Sequence, residues 1–198
     1  ICYMVGMSDS LAAIVPAIIV MITGFVVLLG DSCVPAWRSN GKALNPSVSI
    51  VGLLIALFFN QTHIGKEAAT AFNGAIVDDP FSRVGILLLG LTAIFSILLS
   101  MTYLENKKLQ HGEYYVLILF SLFGGMLMVS ANELITLFVA IETLSVALYV
   151  LAGFARTEEK SEEAALKYFL LGADSSAFFL FGSAFLHGYS GTVSIVGI

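Results

Sequence analysis

The chain has 198 residues, of which 58% are hydrophobic and only 12% are charged. Soluble domains carry about 25% charged residues, so this composition excludes a water-exposed globular domain and predicts an integral membrane protein. The net charge of −5 and the lack of a block of basic residues speak against nucleic acid binding.

Six apolar segments are predicted to cross the membrane. They run from about Leu11 to Leu29, from Val48 to Phe59 with an extension toward Ile64, from Val84 to Tyr103, from Tyr114 to Ala131, from Leu134 to Phe154 and from Ala164 to Leu186. A membrane helix needs about 20 residues, whereas a barrel strand needs about 9–11. We therefore predict an all-α fold, a polytopic membrane helix bundle in which residues 1–198 form a single membrane domain.

The distribution of basic residues predicts the orientation of the helices. One side of the membrane receives seven of them, namely Arg38, Lys42, Lys107, Lys108, Arg156, Lys160 and Lys167. The other side receives Lys66 and Arg83. Because loops rich in Lys and Arg stay on the inner side, we expect the first side to be cytoplasmic, or its matrix or stromal equivalent. The N-terminus is then outside.

No cofactor is expected to bind to this chain. The cysteines, Cys2 and Cys33, are predicted to lie on opposite sides of a hydrocarbon core about 30 Å thick, too far apart for a disulfide. The sequence has no C-x-x-C pair for zinc or an iron–sulfur cluster, and no G-x-G-x-x-G after a strand for a dinucleotide.

Three ionisable residues lie within or at the edge of predicted helices: Glu142, Lys167 and Asp174. A charge at a helix centre costs roughly 2.5–3.5 kcal/mol on insertion scales and commonly marks an ion or proton path. At about 1.5 Å per residue, Glu142 is about 18 Å deep, Asp174 about 15 Å and Lys167 about 5 Å. A structural ion pair that joins helices is the alternative, and it is favoured for Asp174.

Two further patterns surround these charges. Glu142, Ser145 and Tyr149 share one face of the fifth helix, where hydroxyl groups beside an acid can hold proton-conducting water. Lys167 and Asp174 are seven residues apart and share a face of the sixth helix.

Small residues at Gly124-Gly125 and at Gly172 and Ser176 indicate close helix packing. At the start of the sixth helix, Ser161 is the predicted N-cap.

The second half of the chain resembles a known family. The motifs LFVAIETLSVALYVLAGF and EEAALKYFLLGADSSAFFLFGSAFLHGYSGT are similar to the fifth and sixth helices of the N-type, antiporter-like membrane subunit of NADH–quinone oxidoreductase, respiratory complex I. Residues 78–82 also resemble the acidic turn before the family's third helix. Residues 1–111 then hold the first three helices, and residues 112–198 begin the first antiporter-like repeat.

The resemblance implies a proton-translocating subunit with about fourteen helices, so the chain is expected to be a fragment. It implies that Glu142 is the family's essential glutamate and that Lys167 is the lysine at the start of the sixth helix. Asp174 departs from the family, which usually has a small apolar residue there. A further proton stop, a partner for Lys167 and a residue that faces a local water cavity remain open alternatives.

The implied partners are protons, the lipid bilayer and the other membrane subunits of complex I. NADH, FMN, iron–sulfur clusters and quinone would be used by other subunits. The implied location is the bacterial plasma membrane, or the mitochondrial inner or thylakoid membrane. Alternatives are a subunit of a multisubunit sodium/proton antiporter or membrane-bound hydrogenase, and a structural membrane scaffold.

Overall fold

The computed structural model describes residues 13–62, 68–107 and 109–198, with the backbone alone described for residues 35–42. Its helices are α1 (Val15–Cys33), α2 (Pro35–Thr62), α3 (Pro80–Lys107), α4 (Gly112–Ser130), α5 (Leu134–Ala152) and α6 (Glu159–Ser190). All six are long and apolar enough to cross a membrane. The prediction of an all-α, six-helix polytopic bundle is confirmed.

Several helices are longer than predicted. Helix α3 has 28 residues and α6 has 32, because polar residues at helix ends continue the helix beyond the apolar stretch. Helix α2 begins at Pro35, so Arg38 and Lys42 lie on its first turns and not in a loop. The predictions for Ile64, Lys66, Lys108 and Cys2 concern positions outside the described residues.

The start of α6 differs from the prediction. Its N-cap is Glu158, which makes no capping hydrogen bond with its side chain. Ser161 lies inside the first turn, where its Oγ donates a hydrogen bond to the carbonyl oxygen of Ala152 at 2.7 Å. Ser161 therefore fastens α6 to the end of α5 and is not the cap. The acidic first turn of Glu159 and Glu162 suits the positive end of the helix.

A short hairpin, which the sequence did not predict, connects α2 to α3. Strands β1 (Ala69–Ala71) and β2 (Ile76–Asp78) pair antiparallel. The backbone N–H of Asn132, between α4 and α5, donates to the carbonyl of Ala75 at 2.9 Å, and the Asn132 carbonyl accepts from the N–H of Ile195 at 2.9 Å. The hairpin, the turn between α4 and α5 and the segment after α6 are thus hydrogen-bonded together at one end of the bundle.

Helix α4 lies at the centre of the core. It packs against α1, α3 and α5 and contributes the buried residues Tyr115, Leu119 and Met126. A Cβ atom at Gly124 would lie 2.5 Å from the backbone nitrogen of Leu144 on α5. The absence of a side chain at Gly124 therefore lets the two helix backbones approach closely, as the small-residue pattern predicted.

Candidate functional site

Glu142 lies on α5 at the edge of its contact with α6. Its side chain is half-buried, and its Oε1 accepts a short hydrogen bond from the Oγ of Ser176 on α6. Ten residues separate it from the end of α5 at Ala152, which places it about 15 Å along the helix. The carboxyl group is therefore inside the membrane-spanning part of the bundle and has a polar partner.

A cavity of about 300 Å³ lies between α5 and α6; most of its lining is apolar, and several hydroxyl groups interrupt it. Ser145 and Tyr149 line it from α5, and Ser175 and Ser176 line it from α6. Because Ser176 lines this cavity and also bonds to Glu142, the carboxyl group lies beside the cavity. The face shared by Glu142, Ser145 and Tyr149 in the sequence is thus the face turned toward α6.

Tyr149 fixes the spacing of these two helices. A Cβ atom at Gly172 would lie 1.8 Å from the Tyr149 hydroxyl oxygen, so a side chain at Gly172 would collide with the phenol. The Tyr149 ring also packs edge-on against Tyr168, with centroids 4.8 Å apart, and against Phe169. Gly172 therefore lets the phenol enter the contact between α5 and α6, beside the cavity.

The structure does not bring Lys167 or Asp174 to Glu142. Lys167 and Asp174 are both exposed, and the Lys167 ammonium pairs with Glu163 one turn away on α6. Asp174 is two residues from Ser176, so it lies at nearly the same height as Glu142 but about 200° around the helix. Lys167 and Asp174 share a face, as the sequence predicted, but this face is opposite to α5.

Two polar contacts near the helix ends were not predicted from the sequence. Asp31, at the end of α1, accepts a hydrogen bond from Asn45 Nδ2 on α2 at 2.9 Å and one from the backbone N–H of Gly112 on α4 at 3.3 Å. It follows the predicted end of the first segment by two residues, so a polar residue just past an apolar segment was the available signal. It joins three helices.

The second contact is a buried ion pair. The Nε of Arg83, at the start of α3, lies 2.8 Å from Oδ1 of Asp78, with side chains 3% and 10% exposed. Asn60 Nδ2 donates to the Arg83 carbonyl at 2.9 Å. The sequence placed Arg83 on the less basic side of the membrane, but its five-residue spacing from Asp78 gave no reason to expect burial.

None of these groups forms a metal site within the described ranges. No set of three or more His, Cys, Asp or Glu side chains comes together there. The chemistry that the arrangement offers is proton binding at one carboxyl group with hydroxyl neighbours.

Comparisons with known proteins agree with this architecture. A family model described as "NADH:quinone oxidoreductase/Mrp antiporter, TM" matches residues 131–198. NADH-quinone oxidoreductase subunit N of Trichlorobacter lovleyi is 38% identical over 189 residues, which is 96% of this chain and 38% of the relative. The chain therefore spans little more than a third of the length of that curated relative.

Two solved structures share the fold. Respiratory complex I from Thermus thermophilus with bound Aureothin contains a chain with a TM-score of 0.76 and 31% identity, over 91% of this chain and 38% of that one. The membrane-bound sulfane sulfur reductase, an archaeal respiratory membrane complex, gives a TM-score of 0.69 at 22% identity, over 93% of this chain and 38% of that one; this second likeness concerns the fold alone. By sequence, by fold and by the motifs of α5 and α6, the chain belongs to the antiporter-like membrane subunits of NADH–quinone oxidoreductase, in the N-type group.

Proposed function

We propose that this chain belongs to a subunit that translocates protons across the membrane for an NADH–quinone oxidoreductase, with Glu142 as a proton carrier. The observation that carries the proposal is the position of Glu142: it is half-buried within a membrane helix, is hydrogen-bonded to Ser176, and lies next to a cavity that Ser145, Ser175 and Tyr149 also line. The similarity to subunit N of Trichlorobacter lovleyi supports the same assignment.

The chemistry requires a carboxyl group that gains and loses a proton. A cavity of about 300 Å³ has room for several water molecules, because each occupies about 30 Å³ in the liquid. Ser145, Tyr149 and Ser176 supply polar partners that such waters need. A proton would leave Glu142 through this chain of water and hydroxyl groups. The ionised carboxylate would then accept the Ser176 hydrogen bond.

Lys167 and Asp174 lie on the face of α6 that is turned away from Glu142, and they have secondary roles in this proposal. Lys167 lies eight residues into α6, where its ammonium and the Glu163 carboxylate form an exposed pair. We assign Lys167 either to the proton path or to an ion pair with a charged residue of another helix. Asp174, level with Glu142 on the far side of α6, is a further proton stop in the same proposal.

The remaining features of the assignment follow from the whole enzyme. NADH oxidation, with FMN and iron–sulfur clusters, and quinone reduction would occur in partner subunits, while this chain binds protons only. Its partners would be the other membrane subunits and the bilayer. The distribution of basic residues supports an N-terminus outside a bacterial plasma membrane or an equivalent organelle membrane.

A second candidate function is cation/proton exchange in an antiporter complex. The description of the matching family model names the Mrp antiporter beside NADH:quinone oxidoreductase. Proton uptake that depends on a sodium gradient and not on NADH would favour this candidate. The membrane-bound hydrogenase and scaffold alternatives are separated from the first proposal by the electron donor and by the next experiment.

The test is Glu142→Gln in the full-length subunit, assembled in its complex and reconstituted in vesicles. We expect NADH-driven proton uptake to fall by about tenfold or more, because a positioned proton-transfer group typically contributes 10²–10⁴-fold. Glutamine keeps the size of the side chain and removes its titration.

Glu133→Gln is the control, because Glu133 precedes α5 and makes no capping hydrogen bond with its side chain. It should leave uptake unchanged. If the Glu142→Gln complex pumped at the normal rate, Glu142 would not be a proton carrier, and the scaffold alternative would be favoured.

A further inference from the structure

Two contacts between aromatic rings bound the cavity between α5 and α6 along its length. At one end, Phe138 of α5 stacks on Phe179 of α6, with ring centroids 6.1 Å apart. At the other end, Tyr149 of α5 packs edge-on against Tyr168 of α6, with centroids 4.8 Å apart. All four rings line the cavity, and only the second end carries hydroxyl groups. Both contacts join residues of this chain, so they do not depend on what the rest of the subunit places beside them.

The Tyr149 ring fills the space between the two helices at its end of the cavity. A Cβ atom at Gly172 would overlap the phenol oxygen and lie 2.5 Å from Cζ, so the ring lies directly against the backbone of α6. Tyr168 and Phe169 pack edge-on against the ring, at interplanar angles of 90° and 82°. Three residues of α6 therefore hold the phenol in place, with its hydroxyl group between the helices.

The Tyr149 hydroxyl is a short distance from the bond between Glu142 and Ser176. It lies at the level of Gly172, which is four residues before Ser176 on α6, or about 6 Å along the axis. Hydrogen-bonded oxygen atoms are about 2.8 Å apart, so one or two water molecules span this distance. Tyr149 and Ser176 both line the cavity in which such waters would lie. A tyrosine hydroxyl both donates and accepts hydrogen bonds, so it can continue this chain.

We propose that the Tyr149 hydroxyl determines the proton selectivity of this cavity, an inference that rests on the proposed role of Glu142 as a proton carrier. A proton from water on one side bonds to the phenol oxygen, while the phenol's own proton passes to water on the other side. The phenol is neutral before and after this exchange, and rotation of its O–H bond restores the starting state.

A sodium ion has no equivalent route. It cannot be exchanged at a hydroxyl group and would have to move past the ring, which occupies the space against Gly172. The width of a pathway and the hydrogen-bonding groups along it determine which ions pass. The Tyr149 phenol combines both features, because its ring closes the space and its hydroxyl group transmits the proton.

The experiment uses Tyr149→Phe in the full-length subunit, assembled in its complex and reconstituted in vesicles. Phenylalanine keeps the ring against Tyr168, Phe169 and Gly172 and removes the hydroxyl group. We expect NADH-driven proton uptake to fall by about tenfold, because a positioned proton-transfer group typically contributes 10²–10⁴-fold and water beside the ring replaces part of this contribution. Uptake of radioactive sodium should stay at the wild-type level, since the ring still fills the space.

Tyr149→Ala removes the ring as well as the hydroxyl group. We expect sodium uptake without NADH to rise several-fold above the wild-type level, because the space beside Gly172 is then open. If this variant does not assemble, Tyr149→Leu takes its place, since leucine keeps apolar packing but is too short to reach Gly172.

The control is the same pair of substitutions, to Phe and to Ala, at Tyr189. This residue lies near the C-terminal end of α6 and does not line the cavity. Both control variants should match the wild type in proton uptake and in sodium uptake.

Normal proton uptake by Tyr149→Phe, or sodium uptake by Tyr149→Ala no greater than that of the wild type, would overturn the inference. Either result, together with impaired uptake by Glu142→Gln, would leave Glu142 as the proton carrier. Normal uptake by Glu142→Gln would instead remove the proposed function itself, so the two failures are distinguishable.

Discussion

Polar groups have more fixed partners in the core around α4 than in the contact between α5 and α6. In the core, Asp31 bonds to both Asn45 and Gly112, and Arg83 is held against Asp78 at 3% exposure. In the α5–α6 contact, Glu142 has the Ser176 hydroxyl as a partner and lies beside cavities on two sides. A charged group with several fixed partners stabilises the structure, whereas a carboxyl group beside open space can exchange its proton.

The helices of the two regions also differ in how extensively they are packed. Helix α4 is in contact with neighbours on several sides, whereas α6 packs against α5 and has no buried residue in the described structure. Substitutions in the core should change stability first, and substitutions in the α5–α6 contact should change proton transfer first.

The largest effect on stability is expected at the buried ion pair. Arg83→Met leaves the Asp78 carboxylate buried without its guanidinium partner, which typically costs about 3–5 kcal/mol. The measurement is the free energy of unfolding of the full-length subunit in detergent. The double variant Arg83→Met/Asp78→Val is the control, since removing both charges is often nearly neutral. Equal losses in the single and double variants would contradict the ion-pair explanation.

A smaller loss is expected where α4 and α5 approach. Gly124→Ala places a Cβ atom 2.5 Å from the backbone nitrogen of Leu144, and a backbone cannot rotate away as a flexible side chain can. Overpacking of this kind costs about 1–3 kcal/mol. At Gly125 the nearest atom, Leu89 Cδ1, would be 3.4 Å away, so Gly125→Ala should be tolerated. Similar unfolding free energies for the two variants would show that the helices separate without cost.

The α5–α6 contact is tested by two adjacent serines. Ser176→Ala removes the hydrogen bond to Glu142, and a typical hydrogen bond contributes about 0.5–1.5 kcal/mol net. We expect proton uptake in vesicles to slow several-fold, with little change in unfolding because Ser176 is only half-buried.

Ser175→Ala is the matched control for that experiment. The Ser175 hydroxyl donates to the carbonyl of Leu171 on its own helix at 2.9 Å, so its loss should leave uptake nearly normal. Equal slowing in both variants would mean that the cavity, and not the bond to Glu142, determines the rate.

Hydropathy was sufficient to predict the number and type of the helices, but not their contacts. Apolar residues are spread around all sides of α6, so residue spacing predicts how Lys167 and Asp174 lie relative to each other but not which face meets α5. The structure places Gly172 and Ser176 against α5 instead. The partner of Glu142 is therefore a serine that the sequence pattern indicates only as a packing residue.

Short polar contacts were missed for a different reason. Strands of three residues, such as Ala69–Ala71, are too short for an alternating pattern. Asp78 ends β2 and Arg83 lies in the first turn of α3, so their ion pair forms across the short turn that joins these two elements. Hydrogen bonds across the ends of helices depend on where each helix stops, and the boundaries were the least accurate feature of the prediction.

The smallest effect is expected at an ion pair outside both regions. Lys107, at the end of α3, lies 2.8 Å from Glu158 before α6, and its hydrogen bond and positive charge lower the pKa of Glu158 below the ordinary value of 4.5. A lowered carboxyl pKa contributes stability above pH 4.5 that is lost as the pH falls through the lowered pKa. Both side chains are about half exposed, so solvent screens the pair.

Unfolding midpoints of the wild-type subunit and Lys107→Met should therefore differ slightly at neutral pH and converge in acid. In about 1 M salt, where the screening length is about 3 Å, the difference should vanish at every pH. A difference that persisted in acid and in salt would mean that the Lys107 side chain acts through packing. The Lys107 stem would then stabilise the turn before α6 by its apolar contacts and not by its charge.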